Sequence, residues 1–331
     1  MTALRKNDME LGLQIFPSMS VNDIITIACE AERLGYDQCL LADEGFLPDP
    51  YVTLGAIAVQ TSRIKLGPVT NGYTRHPAAS AIAMATLHEL SAGRALVTLV
   101  AGGAIVLKPM GIPRDMPLTI VKETIEIMRS LWSGERITWK GDRYSLDGAR
   151  SGMGHQTIPI WVAARGPKMI EQAAELADGV WLMGKADLLP ALKIVDLAKT
   201  KRQLTRPALR VFQDQVANTP ALMEDARVVC TFLLNDSPPR LAQALGISDE
   251  KLSAIKQTFA EKGVASAAAL VDNALMRQLV ICGTDRECAA EMAELEQTHK
   301  LDALVINIMS TDLETNLKSL RDVATMAKLS S

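Results

Sequence analysis

Two adjacent carboxylates, Asp43 and Glu44, directly follow the apolar run 39–42. A carboxyl group that is buried against a bound ligand has a raised pKa and can deliver a proton near neutral pH. Gln14, near the end of the apolar run 11–16, has no titratable proton and can only form hydrogen bonds. The alternatives are that Asp43 caps the next helix and that Glu44 is a surface carboxylate. Asp43 and Glu44 are therefore candidate polar residues of a site at a strand end.

A second candidate site is the segment 165–168, Arg-Gly-Pro-Lys. Gly166 allows close backbone approach, and Pro167 suits the first turn of a helix. The free N–H groups of such a helix start, flanked by Arg165 and Lys168, would bind a phosphate. An ordinary loop with solvated charges is the alternative.

Small residues follow two further apolar runs. Val69, Thr70 and Asn71 precede Gly72, and Gly102 is followed by Gly103. Taken singly, Asn-Gly is a common turn and Gly-Gly a flexible loop. Their shared position after apolar runs, like that of Asp43, is more informative.

Several kinds of site are excluded by residue spacing. The four histidines never stand at i,i+4, and the five cysteines are scattered without C-x-x-C spacing, so no bound metal is expected. Nucleotide motifs of the G-x-G-x-x-G and G-x-x-x-x-G-K types are missing. The odd, scattered cysteines fit a reducing cytosol.

Charge and hydropathy exclude two classes of partner. A net charge of −3 without a basic cluster, and only 4% aromatic residues, argue against nucleic-acid binding. Apolar runs are too short to cross a bilayer. The segment 1–10 carries four charged side chains and no apolar stretch, so no signal peptide is predicted. We expect a cytoplasmic protein without membrane contact.

These residues must be positioned by a repeating β-then-α pattern. The length allows one large barrel or two medium domains, and the number of strands favours the barrel. We predict a TIM-like (β/α)8 barrel, a single domain over 1–331, with insertions after strands 4 and 7 at about 101–157 and 221–280. The predicted strands are Glu10–Phe16, Asp37–Ala42, Ile64–Thr70, Arg94–Val100, Ile158–Ala164, Gly179–Met183, Leu209–Val216 and Ala303–Ile308.

Four segments carry a resemblance to a known family. Gly67–Pro77 (GPVTNGYTRHP) and Ala85–Arg94 (ATLHELSAGR) closely resemble the luciferase-like flavin and deazaflavin oxidoreductases. Ala163–Met169 (AARGPKM) and Ala174–Val180 (AELADGV) resemble the signatures of strands five and six in that family. The similarity extends from residue 10 to residue 307 and is nearest to the methylenetetrahydromethanopterin reductase branch. Its fold is a TIM-like barrel with insertions.

The resemblance implies an oxidoreductase that transfers hydride between F420 or FMN and a small organic substrate. An FMN monooxygenase supplied by a separate flavin reductase is the alternative, and relatives are often homodimers. The implied ring contacts are Gln14, Asp43, Glu44, Val69, Thr70, Asn71, Gly102 and Gly103. The implied contacts of the cofactor tail are Ala164, Arg165, Gly166, Pro167 and Lys168.

Three departures from the family pattern affect this transfer of roles. Gln14 replaces a glutamate, which leaves Asp43 or Glu44 as the proton donor. Glu44 stands where many F420 enzymes have histidine. Strand three is one residue shorter at Gly67-Pro68-Val69, so the family's non-prolyl cis-peptide bulge is expected to differ. These departures also leave open a non-catalytic paralogue that binds cofactor poorly.

Overall fold

The computed structural model describes residues 9–202, 204–235 and 239–329. The segment 1–8, on which much of the signal-peptide prediction depends, lies outside these ranges. The strands of the described residues are β1 (Glu10–Ile15), β2 (Gln38–Ala42), β3 (Lys65–Thr70), β4 (Val97–Leu99), β5 (Ile137–Lys140), β6 (Ser145–Ala149), β7 (Ile160–Ala164), β8 (Gly179–Met183), β9 (Leu209–Asp214), β10 (Val216–Ala217), β11 (Ile281–Cys282) and β12 (Ala303–Ile308).

Helices follow most of these strands, with short 3₁₀ turns at Lys185–Asp187 and Ala198–Lys201. The α-helices are α1 (Val21–Leu34), α2 (Pro50–Ala58), α3 (Pro77–Leu90), α4 (Ala104–Leu107), α5 (Pro117–Trp132), α6 (Pro167–Leu176), α7 (Leu188–Leu197), α8 (Pro220–Asn235), α9 (Pro239–Ala244), α10 (Asp249–Lys262), α11 (Val264–Ala268), α12 (Asn273–Leu279), α13 (Asp285–His299) and α14 (Leu313–Leu329).

Eight strands close into a parallel barrel in the order β1-β12-β9-β8-β7-β4-β3-β2. The predicted (β/α)8 barrel is confirmed. One predicted strand, Leu209–Val216, is divided in the structure. Its first part, β9, ends at Asp214, and Val216 pairs instead with Ile281 in the separate two-stranded sheet of β10 and β11. Because β9 belongs to the barrel and β10 to the separate sheet, the chain leaves the barrel between Asp214 and Val216.

Local signals in the sequence set the helix boundaries. Ser20 caps α1 by accepting the Asp23 N–H, and Gly35 ends that helix in the left-handed conformation at φ 91°. Asp49, not Asp43, caps α2, so the interpretation of Asp43 as a helix cap is wrong. At α13, Thr284 and Glu287 form a reciprocal capping box, the pattern that Thr-x-x-Glu indicates in a sequence.

The barrel interior is filled by side chains that alternate with those facing the helices. Leu40, Val69 and Val305 belong to this interior cluster, together with the two fully buried tryptophans Trp161 and Trp181. The tryptophan rings meet edge to face, with centroids 6.4 Å apart. Inward-facing positions near the carboxyl ends of the strands therefore border the site, and the rest form a packed core.

The first predicted insertion contains one regular element of the barrel. Helix α5 packs between α3 and α6, which is the place of the barrel's fourth helix. The remainder is the loop before α5 and the hairpin of β5 and β6, which turns between 140 and 145. Buried Glu123 holds the hairpin turn by accepting the N–H groups of Asp142, Arg143 and Tyr144.

The second predicted insertion has its own apolar cluster, which includes Cys230, Ile255 and Met276. It runs through α8–α12 to β11, which pairs with β10 outside the barrel, and the chain returns to the barrel through α13 and β12. Lys185 ties this return to the barrel, because its Nζ donates to the Val280 carbonyl at 2.8 Å and to the Glu291 carboxylate. No helix within the described ranges has the length and apolar character needed to cross a membrane.

Candidate functional site at the carboxyl end of the barrel

All predicted site residues lie at or just beyond the carboxyl ends of barrel strands. Because the strands are parallel, these ends share one face of the barrel. Gln14 is the penultimate residue of β1, Asp43 follows β2 and Thr70 ends β3. Gly102 follows β4, and Ala164 ends β7. The barrel therefore brings onto one face residues that are up to 154 positions apart in the chain, from 14 to 168.

Asp43 is held against the end of β3 by two hydrogen bonds. The Thr70 hydroxyl donates to its Oδ2 at 2.7 Å, and its own N–H donates to the Val69 carbonyl at 2.9 Å. Glu44 is only partly exposed. Burial, and then the neighbouring charge of Asp43, raises the pKa of the Glu44 carboxyl. The environment of Glu44 thus favours its protonated form.

Tyr51 and Arg75 support this edge of the barrel from α2 and from the loop after β3. The Arg75 guanidinium lies 4.3 Å from the centroid of the Tyr51 ring. Burial raises the pKa of the Tyr51 hydroxyl, opposed by the neighbouring Ser80 and Thr70. Neither residue was predicted as part of the site, because Tyr51 meets Thr70 and Arg75 only in the folded chain.

Asn71 is committed to a turn after β3. Its side-chain oxygen accepts the N–H groups of Tyr73 at 2.8 Å and Thr74 at 3.0 Å. Gly72 follows, and the Tyr144 hydroxyl of the hairpin donates to its carbonyl at 2.7 Å. This is the turn that Asn-Gly predicts, and it places the backbone of Val69–Asn71 at the barrel mouth.

Gly102 needs its lack of a side chain. It adopts φ 73°, and an added Cβ would lie 2.8 Å from Leu107 and 3.0 Å from the Tyr73 ring. Its carbonyl accepts a 2.6 Å hydrogen bond from Arg114. Gly103 is exposed at the start of α4. The loop after β4 is therefore pinned at Gly102 and open at Gly103.

The start of α6 is open. Gly166 is its N-cap residue and Pro167 its first residue, as predicted. An added Cβ on Gly166 would meet no atom of the described residues within 4 Å. Lys168 is exposed, whereas Arg165 also donates to the Leu233 carbonyl of α8 at 3.2 Å. The backbone and Lys168 are thus accessible to an anion, and Arg165 is shared with the second insertion.

Two residues that were not predicted from the sequence form a hydrogen-bonded chain that ends at Gln14. Gln213 of β9 donates from Nε2 to Gln14 Oε1 at 2.6 Å, and Trp181 of β8 donates from Nε1 to Gln213 Oε1 at 3.1 Å. The signal available in the sequence is weak: Gln213 is a polar residue near the end of a predicted strand. Only the barrel brings these side chains together, since β12 lies between β9 and β1.

The described residues bear on two predictions, that no metal is bound and that strand three differs from the family pattern. Among these residues, no group of three or more His, Cys, Asp or Glu side chains is arranged to hold a metal ion. All peptide bonds in the same ranges are trans, so the strand-three bulge of the family is not reproduced with a cis bond here. Instead β3 pairs with β2 without interruption from Lys65 to Val69. Gly67 is required because an added Cβ would lie 1.9 Å from the Leu96 carbonyl oxygen.

Comparison with known proteins decides the family. The model of the family described as "Luciferase-like monooxygenase" matches residues 1–299. The chain belongs to this family. The resemblance inferred from Gly67–Pro77 and the other three segments is thereby confirmed.

Individual members of this luciferase-like family agree with that assignment. The 5,10-methylenetetrahydromethanopterin reductase of Methanolobus tindarius is 32% identical over 302 residues, which cover 87% of this chain and 90% of that one. The solved F420-dependent tetrahydromethanopterin reductase of Methanopyrus kandleri superposes with a TM-score of 0.86 at 23% identity, covering 96% and 98% of the two chains. At that identity the superposition confirms the fold alone.

A third comparison bears on the cofactor. The oxygenating constituent of 3,6-diketocamphane monooxygenase from Pseudomonas putida, solved with FMN, superposes with a TM-score of 0.69 at 18% identity, covering 97% and 98% of the two chains. Proteins that share this fold thus include F420-dependent and FMN-binding enzymes. At the level of the family, the predicted oxidoreductase class and this choice of cofactors are confirmed.

Proposed function

We propose that this luciferase-like protein is an F420-dependent oxidoreductase that transfers hydride between the cofactor and an organic substrate at the barrel mouth. The observation that carries the proposal is the pairing of a partly buried acid, Glu44, with an open helix start at Gly166 on one face of the barrel. The similarity to the methylenetetrahydromethanopterin reductases favours F420 over FMN and supplies the first substrate to test.

The residues at the mouth fit a flavin-type cofactor. The open space around Gly166, the N–H groups of the first turn of α6 and the exposed Lys168 suit a phosphate-bearing tail. For the ring, the candidate contacts are Val69, Thr70, Asn71, Gly102 and Gly103. For the tail, they are Ala164, Arg165, Gly166, Pro167 and Lys168. The bound cofactor would supply the hydride chemistry.

The protein's own contribution includes one proton. Glu44 has a raised pKa and adjoins Asp43, which Thr70 holds in place. Like charges in contact disfavour ionisation, so the neighbouring Asp43 adds to the rise that burial causes in the pKa of Glu44. Gln14 contributes a hydrogen bond and no proton. We assign the role of general acid to Glu44 and a positioning role to Asp43.

An FMN-dependent monooxygenase is the second candidate. The match to a family described as monooxygenases and the shared fold with an FMN-bound member favour it. Such an enzyme would require reduced flavin from a separate flavin reductase. The third hypothesis, a paralogue without catalysis, becomes the outcome in which neither cofactor binds.

Titration of the protein with F420 and with FMN, followed by fluorescence, separates these candidates. We expect saturable F420 binding at micromolar concentration, then F420-linked turnover of 5,10-methylenetetrahydromethanopterin. FMN binding without F420 binding would favour the monooxygenase. Binding of neither would reject both enzymes.

We further propose a homodimer that forms through the outer faces of α2 and α3. Val52 is 75% exposed and Val59, which ends α2, is 65% exposed, while Ile82 and Leu90 of α3 are also exposed. Helix α2 contains no charged residue. A neutral apolar face on adjacent helices suits a self-complementary contact between two copies.

Light scattering tests the dimer. Val52→Lys should shift the mass from dimer towards the 35.8 kDa monomer, because a charge would be buried in the contact. Val21→Lys, at an exposed apolar position of α1, is the matched control and should remain dimeric. A wild type that is monomeric at all concentrations would reject the proposal.

We place the protein in the cytoplasm. Its five cysteines are unpaired, and four of them are buried, which suits a reducing compartment. Fractionation of cells that express the tagged chain tests this placement, and recovery in a membrane fraction would contradict it.

A further inference from the structure

A chain of three hydrogen-bonding side chains crosses the barrel from β8 to β1. Trp181 donates from Nε1 to Gln213 Oε1 at 3.1 Å, and Gln213 donates from Nε2 to Gln14 Oε1 at 2.6 Å. β8 and β9 are neighbouring strands, and the Gln213 side chain reaches past β12, which lies between β9 and β1, to Gln14. The chain ends at Gln14, at the carboxyl end of β1.

The direction of this chain is determined by Trp181. An indole N–H can only donate, whereas a glutamine amide can point its oxygen either way. Trp181 is 1% exposed and packs edge to face against Trp161, so its N–H must be satisfied inside the protein. Gln213 therefore presents oxygen to Trp181 and its NH₂ group to Gln14. Gln14 in turn presents oxygen to Gln213 and keeps its own NH₂ group free.

The free NH₂ group belongs to a side chain at the mouth. Gln14 pairs in register with Leu40 of the interior cluster and with Asn307 of β12, and it is only partly buried. Within the ranges that the structure describes, the Gln14 side chain has one hydrogen bond, which is the one to Gln213. Its Nε2 atom makes no hydrogen bond there and is not fully buried. It is thus available to a ligand.

We propose that Trp181 and Gln213 are positioning residues that make Gln14 Nε2 a permanent hydrogen-bond donor at the barrel mouth. Such a donor selects a ligand that presents a carbonyl oxygen or an unprotonated ring nitrogen at this point, and it disfavours an N–H or ammonium group. The inference deepens the proposed function, because the ligand occupies the same site. Either the cofactor ring or the substrate could supply the acceptor.

A glutamine at position 14 differs from a carboxylate in how its hydrogen bonding depends on pH. A carboxylate at this position would accept hydrogen bonds when ionised and would change its role with pH. An amide whose orientation is imposed by Trp181 donates at every pH at which the protein is folded. Gln14 is then a specificity residue, and proton delivery stays with Glu44.

Nuclear magnetic resonance tests the chain without any ligand. The sequence holds four tryptophans, and Trp181→Phe identifies the Trp181 indole N–H signal. We expect this N–H to exchange slowly, and we expect Gln213→Met to shift its resonance and speed its exchange. An unchanged Trp181 signal in the Gln213→Met protein would overturn the proposed orientation.

Reversal of the donor is the decisive test. In Gln213→Glu, the carboxylate accepts from Trp181 and from Gln14 Nε2, which turns the Gln14 oxygen towards the ligand. In Gln213→Met, the chain is broken without being reversed. We expect ligand affinity to fall about 10-fold in the first variant and about 3-fold in the second, since one misplaced hydrogen bond has effects of this size. The loss in Gln213→Glu should recover at acidic pH, where the introduced carboxyl can donate.

Two readouts distinguish the source of the acceptor. A weaker F420 or FMN dissociation constant assigns it to the cofactor. An unchanged cofactor affinity with a raised KM for 5,10-methylenetetrahydromethanopterin, at unchanged kcat, assigns it to the substrate. Gln213→Glu that binds and turns over like the wild type, or like Gln213→Met at every pH, would overturn the inference. A wild type that binds neither cofactor would instead reject the proposed function, while the resonance measurements still test the donor.

Discussion

At the ends of β2 and β3 the polar groups bond to one another, whereas at the start of α6 they face open space. Asp43 is held by Thr70 and by the backbone of Val69, and Glu44 is partly buried beside it. Across the barrel, an added Cβ on Gly166 would meet no atom of the described residues within 4 Å, and Lys168 is exposed. One side is internally satisfied and acidic, and the other is accessible and cationic.

The two sides meet the different requirements of a proton donor and of a phosphate site. A proton donor needs a fixed position and a tuned pKa, which require contacts made before the ligand arrives. A phosphate site needs free N–H groups and a nearby cation, which require that protein contacts be missing. We therefore propose that the acidic side controls turnover and that the open side controls binding.

The largest expected effect is on the acidic side. Glu44→Gln removes the transferable proton and should lower kcat by about 100-fold or more, with little change in cofactor affinity. In the wild type, kcat should fall as pH rises through the raised pKa of Glu44, because the acid form is lost. The variant should lack this dependence.

Steady-state kinetics from pH 5 to 9 check this prediction. Glu135→Gln, an exposed carboxylate before the hairpin, makes the same change in net charge and should behave like the wild type. A Glu44→Gln protein with wild-type kcat would move the general acid elsewhere.

A smaller effect is expected behind the cationic side, where Asp214 lies at the base of the second insertion. Burial raises the pKa of its carboxyl from 3.8 to about 8, against the opposing charge of Lys185. Its folded-state pKa exceeds its unfolded value, so its contribution to stability is complete below pH 3.8 and is lost as pH rises towards 8.

Urea unfolding at pH 5 and pH 8 checks the sign. Asp214→Asn should be more stable than the wild type at pH 8, by on the order of 2 kcal/mol, with a smaller difference at pH 5. Exposed Asp147→Asn is the control and should follow the wild type at both values. Equal slopes for Asp214→Asn and the wild type would show that Asp214 titrates normally.

The smallest expected effect tests the open side directly. Lys168→Ala should weaken cofactor binding by about 5-fold, more at low salt than at high salt, because an exposed cation contributes on the order of 1 kcal/mol. The double variant with Arg165→Ala should lose more affinity. Unchanged affinity in the double variant would remove the phosphate from this helix start.

Two controls complete the test of the open side. Lys108→Ala, an exposed lysine after α4, should leave binding unchanged. Because Arg165 also donates to the Leu233 carbonyl, its single variant needs a stability measurement beside the titration. A loss of kcat without a loss of affinity in Lys168→Ala would contradict the division between the two sides.

Much of this architecture follows from local sequence signals. The eight strands, the Ser20 cap of α1 and the Thr284 capping box were predictable because they depend on neighbours within a few residues. The site positions were predictable as strand ends, since parallel strands in a barrel end on one face. The division of Leu209–Val216 was not, because it depends on a partner strand about 65 residues away.

Side-chain partners inside the site were beyond the sequence. Nothing near Gln14 indicates Gln213 or Trp181, and nothing near Asp43 indicates that Thr70 holds it. The sequence also suggested that Asp43 caps a helix, which the structure assigns to Asp49. Such pairings depend on strand register and on which face each residue takes, and these are properties of the closed barrel.

By itself, the sequence determined the barrel, the family and the strand ends at which chemistry would lie, because periodicity, caps and motifs are local or nearly so. The differences among those strand ends in burial and hydrogen bonding depend on the tertiary structure. Barrel closure buried Glu44 beside Asp43, left Gly166 open and oriented Gln14 through Trp181. Burial, pKa and hydrogen-bond direction depend on atoms that distant segments contribute, so they exist only once the chain has folded.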